Sequence, residues 1–285
     1  MTTFALLSRL SAMVGAALAL ASPVLAANAG VAALRLYTLD CGTLSLESLA
    51  LFEDTDAYHD TPGTMAVPCF LVRHPQGDLI WDTGLGDGLA QQGEVAVAEG
   101  ITARVEVTLE AQLRQLDLAP SDIEFLALSH LHFDHTSNAP LFAQSTYLVS
   151  RAGLDWARGT PTPFGVNPDS LAVLDSAKTQ LLDLDHDVFG DGSVRILRAP
   201  GHTPGHQVLM LQLPGTGTVI LSGDLYHSRD NYRFSRVPAF NHSRADTLAS
   251  FDRIAGLMKE HAARLVIQHA PEDFAALPRF PAYLE

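Results

Sequence analysis

The sequence predicts a mixed α/β fold in which two β-sheets are covered by helices on their outer faces. Three observations support this class. Apolar strand-like runs separated by Gly/Pro turns recur along the chain, amphipathic helical segments are interleaved with them, and every histidine-bearing motif falls where a strand has just ended. Because loops at strand ends on a rigid sheet commonly carry function, the third observation also predicts where a site lies.

The first 26 residues are typical of a secretory signal. Arg9 is their only charged side chain, an apolar run Ala12–Ala21 follows, and small residues precede a cleavage site after Ala26. The apolar run is short for a membrane span. We therefore expect an exported bacterial protein, periplasmic or secreted, with one mature domain at residues 27–285 and no stable membrane insertion. An uncleaved membrane anchor is the alternative.

Charge and cysteine content limit the partners. The formal net charge is −14, from 18 Lys and Arg against 32 Asp and Glu. Such a surface repels phosphate backbones, so we expect a small-molecule substrate and no nucleic acid; a homodimer is compatible with the sequence. Cys41 and Cys69 are the two cysteines. In an oxidising compartment they would form a disulfide, and two buried free thiols are the equal alternative.

The early part of the chain predicts three strands and a long loop. Ala33–Gly42 is typical of a strand that ends in a glycine. Cys69–Gly84 is typical of a hairpin, with two apolar runs around a polar turn that contains Pro75 and Gly77. The segment Thr43–Pro68 between them is polar and irregular, which favours a long functional loop.

The later elements alternate between helices and strands. A helix is predicted at Thr108–Leu118, with Thr108 as N-cap, and another at Ala245–Leu265. In the second helix one apolar stripe indicates core packing: Leu248, Phe251, Ile254, Leu257 and Met258. Further strands are predicted at Ile123–His130, in TYLVS (Thr146–Ser150), in SVRILRAPGH, twice in HQVLMLQLPGTGTVILSGD and at Leu265–His269.

The run SHLHFDH (Ser129–His135) concentrates four titratable side chains, those of His130, His132, Asp134 and His135. Burying them together costs several kcal/mol unless something pairs them, and a divalent metal would pair all four at once. If the segment is extended, the first two histidines point to the same side. Imidazole suits zinc and similar borderline metals. The run therefore predicts metal binding rather than a chance polar turn.

Three later motifs offer further ligands. His202 lies in the tight turn APGHTPGH, where Gly and Pro allow close approach of the backbone to a ligand. His206 in the same turn is assigned a structural role in preference to ligation. Asp224 ends an apolar strand, where its two oxygens could bridge two cations, and His269 ends the last strand.

Together these motifs resemble the metallo-β-lactamase superfamily, and the resemblance covers nearly the whole mature chain. It implies the αββα sandwich, with Asp82 of DLIWDTGL supporting the metal loop from behind. It also implies two divalent metal ions, zinc by default, with a hydroxide held between them that attacks a carbonyl. The implied ligands are His130, His132 and His202 for one ion, Asp134, His135 and His269 for the other, and Asp224 as the bridge.

Within the superfamily the chain is most similar to N-acyl-homoserine lactonases. The segment Arg35–Phe52, the run RVPAFNHSRADTLASFDRI and the ending FPAYLE carry this similarity. β-Lactamases of this fold usually lack the bridging aspartate, which is Asp224 here. Too few residues follow His269 for the C-terminal helical domain of glyoxalase II. The resemblance therefore implies a quorum-quenching lactonase, with Asp134 as a candidate proton shuttle.

Two departures concern the substrate. Those lactonases often carry a tyrosine three positions after the bridging aspartate, where it helps to hold the substrate carbonyl. Here Tyr226 stands at the second position and His227 at the third, and both remain candidates for that contact. Ala270 replaces a common aspartate. An acyl groove would be lined by the loop Leu46–Pro68 and by three aromatic side chains: Phe133, Trp156 and Phe164.

The leading hypothesis is a dinuclear hydrolase that opens the lactone ring of N-acyl-homoserine lactones. The first alternative is another hydrolase of the same fold that acts on esters, lactones or β-lactams. A non-enzymatic alternative is a metal-binding protein that sequesters the signal molecule. A mononuclear iron oxygenase would use His130, His132 and His202 alone. Iron, manganese or cobalt could also occupy the mixed His/Asp ligands.

Overall fold

The computed structural model describes residues 1–2 and 34–285. The signal peptide predicted for residues 1–26, apart from its first two residues, and the predicted start of the mature domain lie outside the described residues. The described residues 34–285 all lie in one compact unit. Among the described helices, none is long and apolar enough to span a bilayer.

Fourteen strands and seven α-helices make up the described part of the chain. The strands are β1 (Arg35–Leu46), β2 (Gly63–His74), β3 (Gly77–Trp81), β4 (Val95–Ala98), β5 (Ile101–Arg104), β6 (Phe125–Ala127), β7 (Thr146–Ser150), β8 (Thr179–Leu182), β9 (His186–Asp187), β10 (Val194–Arg198), β11 (Gln207–Leu213), β12 (Gly217–Leu221), β13 (Arg264–Val266) and β14 (Tyr283–Leu284). The helices are α1 (Leu109–Arg114), α2 (Phe133–Thr136), α3 (Arg151–Ala157), α4 (Pro168–Leu171), α5 (Arg229–Phe234), α6 (Arg244–Glu260) and α7 (Pro271–Ala275).

Two sheets organise these strands. In the first, the order is β4-β5-β1-β2-β3-β6-β7-β8, with β14 also paired to β1; in the second it is β13-β12-β11-β10-β9. The pairs β3/β6 and β12/β13 are parallel. Since parallel strands end at the same edge of a sheet, the segments that follow them meet there. The antiparallel pair β11/β12 brings the turn before β11 to the same edge.

Three apolar layers hold the sandwich together, as the predicted fold class requires. The layer between the sheets includes Phe70, Trp81, Ile196 and Leu209. On the outer face of the first sheet the core includes Leu109, Leu113, Tyr147 and Leu154. On the outer face of the second sheet, helix α6 packs through Phe251 and Ile254, with Leu248, Leu257 and Met258 at the margin. The stripe predicted for this helix is therefore core packing.

Some predicted boundaries are wrong. The segment Thr43–Pro68 is not one long loop, because β1 continues to Leu46 and β2 begins at Gly63. A register shift after Asp40 lets β1 bend and pair with β5 as well as β2. The predicted N-cap is confirmed, since the Thr108 hydroxyl accepts a hydrogen bond from the backbone N–H of Ala111 at 3.1 Å.

Three further ends, those of two helices and of the last strand, also differ from the prediction. Helix α1 stops at Arg114 rather than Leu118, and α6 stops at Glu260 rather than Leu265. A residue with positive φ, Ala262 at 48°, follows α6 and turns the chain into β13. The last strand ends at Val266, so His269 lies beyond it.

Cys41 and Cys69 form a disulfide that joins β1 to β2, so the free-thiol alternative is wrong. Both sulfur-bearing residues are buried, and they lie against Gly84, which follows β3. The bond therefore stabilises the part of the first sheet from which the chain enters the metal loop.

We expect reduction of this disulfide to lower the free energy of unfolding by about 3.5 kcal/mol, because the 28-residue separation fixes a loop in the unfolded chain. Denaturant unfolding of the oxidised and the thiol-reduced protein, without any substitution, measures this difference. An identical midpoint and slope for the two forms would contradict it.

Candidate metal centre

The strand ends of the two sheets bring all seven predicted ligands together in two neighbouring groups. The first contains His130, His132, His202 and Asp224, and the second contains Asp134, His135 and His269; within each group the ligand atoms lie within 4.8 Å of one another. All seven side chains are buried. The turns after β6, before β11, after β12 and after β13 supply them, as the sequence predicts.

Hydrogen bonds on the side away from the metal centre orient three of the histidine rings. Nδ1 of His202 lies 3.1 Å from Oδ1 of Asn241, and Nδ1 of His269 lies 2.7 Å from the Ala66 carbonyl. Nδ1 of His135 lies 2.9 Å from a carboxylate oxygen of Asp82. Because these oxygens accept, the hydrogen belongs on Nδ1, and the Nε2 lone pair faces the centre. His132 instead directs Nδ1 inward.

Asp224 lies between the two groups with one oxygen on each. Its Oδ2 lies 3.3 Å from Nε2 of His202 and 3.6 Å from Nε2 of His130. Its Oδ1 lies 3.0 Å from Nε2 of His269 and 3.1 Å from Nε2 of His135. This arrangement is the one expected of a bridging carboxylate.

The donor set fits two divalent cations. Nε2 of His202 lies 3.2 Å from Nε2 of His130, and Nε2 of His269 lies 3.3 Å from Nε2 of His135. No described residue donates a hydrogen bond to Oδ1 of Asp224, although it is fully buried. Converging lone pairs and a buried carboxylate repel unless a cation lies among them. Imidazole nitrogen and carboxylate oxygen are ligands of zinc and related metals.

The groups differ in electrostatic character. Burial lowers the pKa of His132 to about 4. Burial alone would also lower the pKa of His135 and of His269, but Asp224 and then Asp134 raise it in both cases. Burial would raise the pKa of Asp224, and the surrounding histidines hold it well below its usual value. The second group therefore has the more negative surroundings, where a cation competes with a proton for the histidine nitrogens.

An apolar pocket opens onto the two groups. Its described lining consists of Leu44, Leu51, Phe52, Met65, Ile101, His132, Phe133, Asp134, Phe164, Gly165, Asp224, His227, Phe240 and His269. Phe133 and Phe164, predicted for a groove, are among them. Trp156 is not, because it packs behind the pocket, 5.9 Å from the His132 ring. Leu51, Phe52 and Met65 come from the predicted lining segment Leu46–Pro68. The sequence analysis missed Phe240, which packs edge to face on Phe52.

The two candidates for substrate contact separate clearly. Tyr226 stacks on Phe251 at 4.4 Å within the core beneath α6, so its predicted contact with substrate does not fit its position. His227 lines the pocket, and its Nε2 lies 3.0 Å from Oδ2 of Asp224. No described residue makes a hydrogen bond of good geometry to either of its ring nitrogens.

His206 has the structural role that the sequence predicts. Its Nδ1 lies 3.0 Å from the Ala199 carbonyl, and its Nε2 accepts a hydrogen bond from the backbone N–H of Asp224 at 2.9 Å. Both nitrogens are therefore occupied, and the histidine holds the backbone that presents Asp224.

Curated lactonases are similar to this chain over most of their own length. It is 29% identical over 265 residues to an N-acyl homoserine lactonase of Azorhizobium caulinodans, with 88% of this chain and 99% of the relative covered. It is 25% identical over 233 residues to an N-acyl homoserine lactonase of Bacillus cereus, with coverages of 79% and 90%.

Solved structures share the fold. An N-acyl homoserine lactone hydrolase with N-hexanoyl-L-homoserine at its catalytic metal centre superposes with a TM-score of 0.76 at 23% identity, over 88% of this chain and 99% of the other. A dizinc quorum-quenching lactonase superposes with a TM-score of 0.64 at 20% identity, over 88% and 89%. The sequence model described as the metallo-beta-lactamase superfamily matches residues 62–263, which include six of the seven candidate ligands, all but His269, and the chain belongs to that superfamily.

Proposed function

We propose that the protein is a dinuclear metal-dependent hydrolase that opens the lactone ring of N-acyl-homoserine lactones. The observation that carries this proposal is the opening of both ligand groups onto one apolar pocket. Curated relatives named for this activity align with this chain over nearly their whole length. A hydrolytic centre beside an apolar wall suits a substrate that combines an ester carbonyl with an acyl chain.

The pocket lining favours a neutral substrate over an anionic one. Among the described residues that line it, none is Lys or Arg. A β-lactam carries a carboxylate for which this lining offers no cationic side chain, whereas an acyl lactone carries no carboxylate. Burial of each CH₂ of an acyl chain contributes about 0.8 kcal/mol, and Leu51, Phe52 and Phe240 offer the surface for it.

His130, His132 and His202 would hold one cation, Asp134, His135 and His269 the other, and Asp224 would bridge them. Bound divalent cations polarise a carbonyl and make a water molecule nucleophilic near neutral pH. Zinc fits this donor set best, and the relative described as a dizinc lactonase supports that choice.

Asp134 and His227 supply groups beside the centre. Oδ2 of Asp134 lies 3.5 Å from Nε2 of His269, at the pocket lining. Its carboxylate holds the proton taken from water and returns it to the ring oxygen when the ester C–O bond breaks. His227 lines the pocket, and neither of its ring nitrogens has a hydrogen-bond partner of good geometry among the described residues. It donates a hydrogen bond to the substrate carbonyl and so takes the role that a tyrosine has in similar lactonases.

The protein is proposed to act outside the cytosol. The signal-like first 26 residues support export, and so does the Cys41–Cys69 disulfide, since disulfides persist in oxidising compartments. A homodimer remains compatible with the chain, and the substrate is a small molecule.

We expect zinc-loaded protein to add one water to N-acyl-homoserine lactones, a change seen directly by mass spectrometry. Acidification re-closes the ring and identifies the product as the hydroxy acid. The His132→Ala variant removes a ligand of the first group and loses most of this activity. Unchanged lactone with fully metal-loaded protein would contradict the proposal; tight lactone binding without turnover would then identify a sequestering protein.

A further inference from the structure

We infer that Gln268 is a positioning residue that ties the two halves of the metal centre together and controls the affinity of the second group for its cation. The inference rests on the proposed function, because it concerns the same dinuclear site. Gln268 lies between β13 and His269 and is 1% exposed. It does not face the pocket and is not itself a candidate ligand.

The amide of Gln268 makes three hydrogen bonds. Its Oε1 accepts from the indole N–H of Trp81 at 2.8 Å and from the backbone N–H of Gly223 at 2.8 Å. Its Nε2 donates to Oδ2 of Asp82 at 3.0 Å. Trp81 and Asp82 belong to the first sheet and its edge, and Gly223 follows the second sheet. One side chain therefore links the two sheets where their site-bearing turns meet.

The bond to Asp82 acts on the second group. Asp82 is 1% exposed, and its carboxylate accepts from the backbone N–H of Ser129 at 2.7 Å and lies 2.9 Å from Nδ1 of His135. A carboxylate behind a ligating histidine fixes the ring and raises its basicity, and loss of such an outer contact typically weakens metal binding by 10–100-fold. Gln268 holds that carboxylate in place.

The first group has less direct links to Gln268. His202 is held by Asn241. His130 is held by the Ser129 hydroxyl, at 3.1 Å between Oγ and Nδ1, and Ser129 connects to Gln268 only through its backbone N–H and the other carboxylate oxygen of Asp82. Asp224 keeps its hydrogen bond to His206 when the amide is lost. An amide suits position 268 because it provides an acceptor and a donor on one side chain, which an apolar residue of the same size cannot do.

The test is the Gln268→Met variant, which keeps the length of the side chain and removes all three hydrogen bonds. Metal-free protein is titrated with zinc against a chromophoric chelator, and the absorption spectrum of cobalt-loaded protein gives a second readout. We expect one of two binding constants to weaken by roughly tenfold or more while the other stays within about twofold. The His269→Ala variant identifies which constant belongs to the second group.

A matched control uses another buried amide. Gln112 is 4% exposed, and its side chain bonds the backbone N–H and carbonyl of Asp40 at 2.9 and 2.7 Å, remote from the metal ligands. We expect Gln112→Met to lower stability and leave both zinc constants unchanged.

If Gln268→Met does not fold, the Gln268→Glu variant replaces it. Glutamate keeps the acceptor oxygen but places a negative charge against Asp82. We expect this variant to give the same selective loss of zinc affinity.

The outcomes separate the inference from the proposed function. Equal weakening of both constants in the Gln268 variant, or no weakening of either, overturns the positioning role. Two zinc ions bound by the wild-type protein with no turnover of lactone would instead overturn the proposed function and leave the positioning role supported by the selective loss. A selective loss with normal wild-type turnover supports both.

Discussion

We expect the Asp224→Asn variant to lose the dinuclear centre and to lower kcat/KM for lactone hydrolysis by roughly a hundredfold or more. The asparagine has nearly the same shape but carries no negative charge, so the two groups lose the anion between them. Metal ions contribute several kcal/mol of charge stabilisation in such reactions, and about 1.4 kcal/mol corresponds to a factor of ten in rate. Zinc content by atomic emission and turnover of lactone measure the two effects together.

The Asp78→Asn variant is the control for this substitution. Asp78 is also buried, but it pairs with Arg73 in the β2–β3 hairpin, at 3.1 Å between Oδ2 and Nε, and contacts no candidate ligand. We expect it to lower stability and to keep two zinc ions per chain. Normal zinc content and normal kcat/KM in Asp224→Asn would show that the aspartate does not bridge the two groups.

The candidate ligands could be found in the sequence because each follows an apolar strand. The run from His130 to His135 and the strand-end residues Asp224 and His269 are local signals, and parallel strand pairs bring them to one edge. The sequence contains the strands but not their order, so the grouping of ligands came from resemblance to a family and the structure supplies the distances.

Which of two adjacent residues enters the pocket could not be read from the sequence. After β12 the chain makes a short helical turn, Gly223–Leu225, in which Asp224 has φ −95° and ψ 23°. The alternation of the strand is lost in this turn. His227 therefore faces the centre and Tyr226 faces the core, whereas the alternation of a continued strand would have put Tyr226 on the same side as Asp224.

Residues distant in the chain were also out of reach of sequence patterns. Phe52 and Phe240 meet because hydrogen bonds join the segment after β1 to the segment before α6. Ala239 N–H donates to the Leu51 carbonyl at 2.9 Å, and Val237 N–H donates to Oδ1 of Asp54 at 3.1 Å. Gln268 is similar, since its partners Trp81 and Asp82 lie more than 180 residues earlier. No local periodicity encodes such contacts.

A glycine outside every recognised motif gives the second large expected effect. Gly165 has φ +76°, and a Cβ atom there would lie 2.7 Å from Cδ2 and 3.1 Å from Nε2 of the His132 ring. Its carbonyl accepts a hydrogen bond from the backbone N–H of Phe133 at 2.7 Å, which fixes the two segments against each other. The methyl group of an alanine would therefore push the ring of His132 away from the first group.

We expect Gly165→Ala to weaken zinc binding by the first group by roughly tenfold or more, with a matching loss of turnover, because ligand geometry must hold to within about half an ångström. Gly190 is the control position that separates the contact with His132 from backbone strain. It has nearly the same φ, +78°, but a Cβ atom there would meet nothing within 4 Å. Gly190→Ala carries the left-handed strain of about 1 kcal/mol and is expected to keep full zinc affinity. If both variants bind zinc like the wild-type protein, the close approach of Gly165 to His132 does not position the ligand; if both lose it equally, strain rather than contact is responsible.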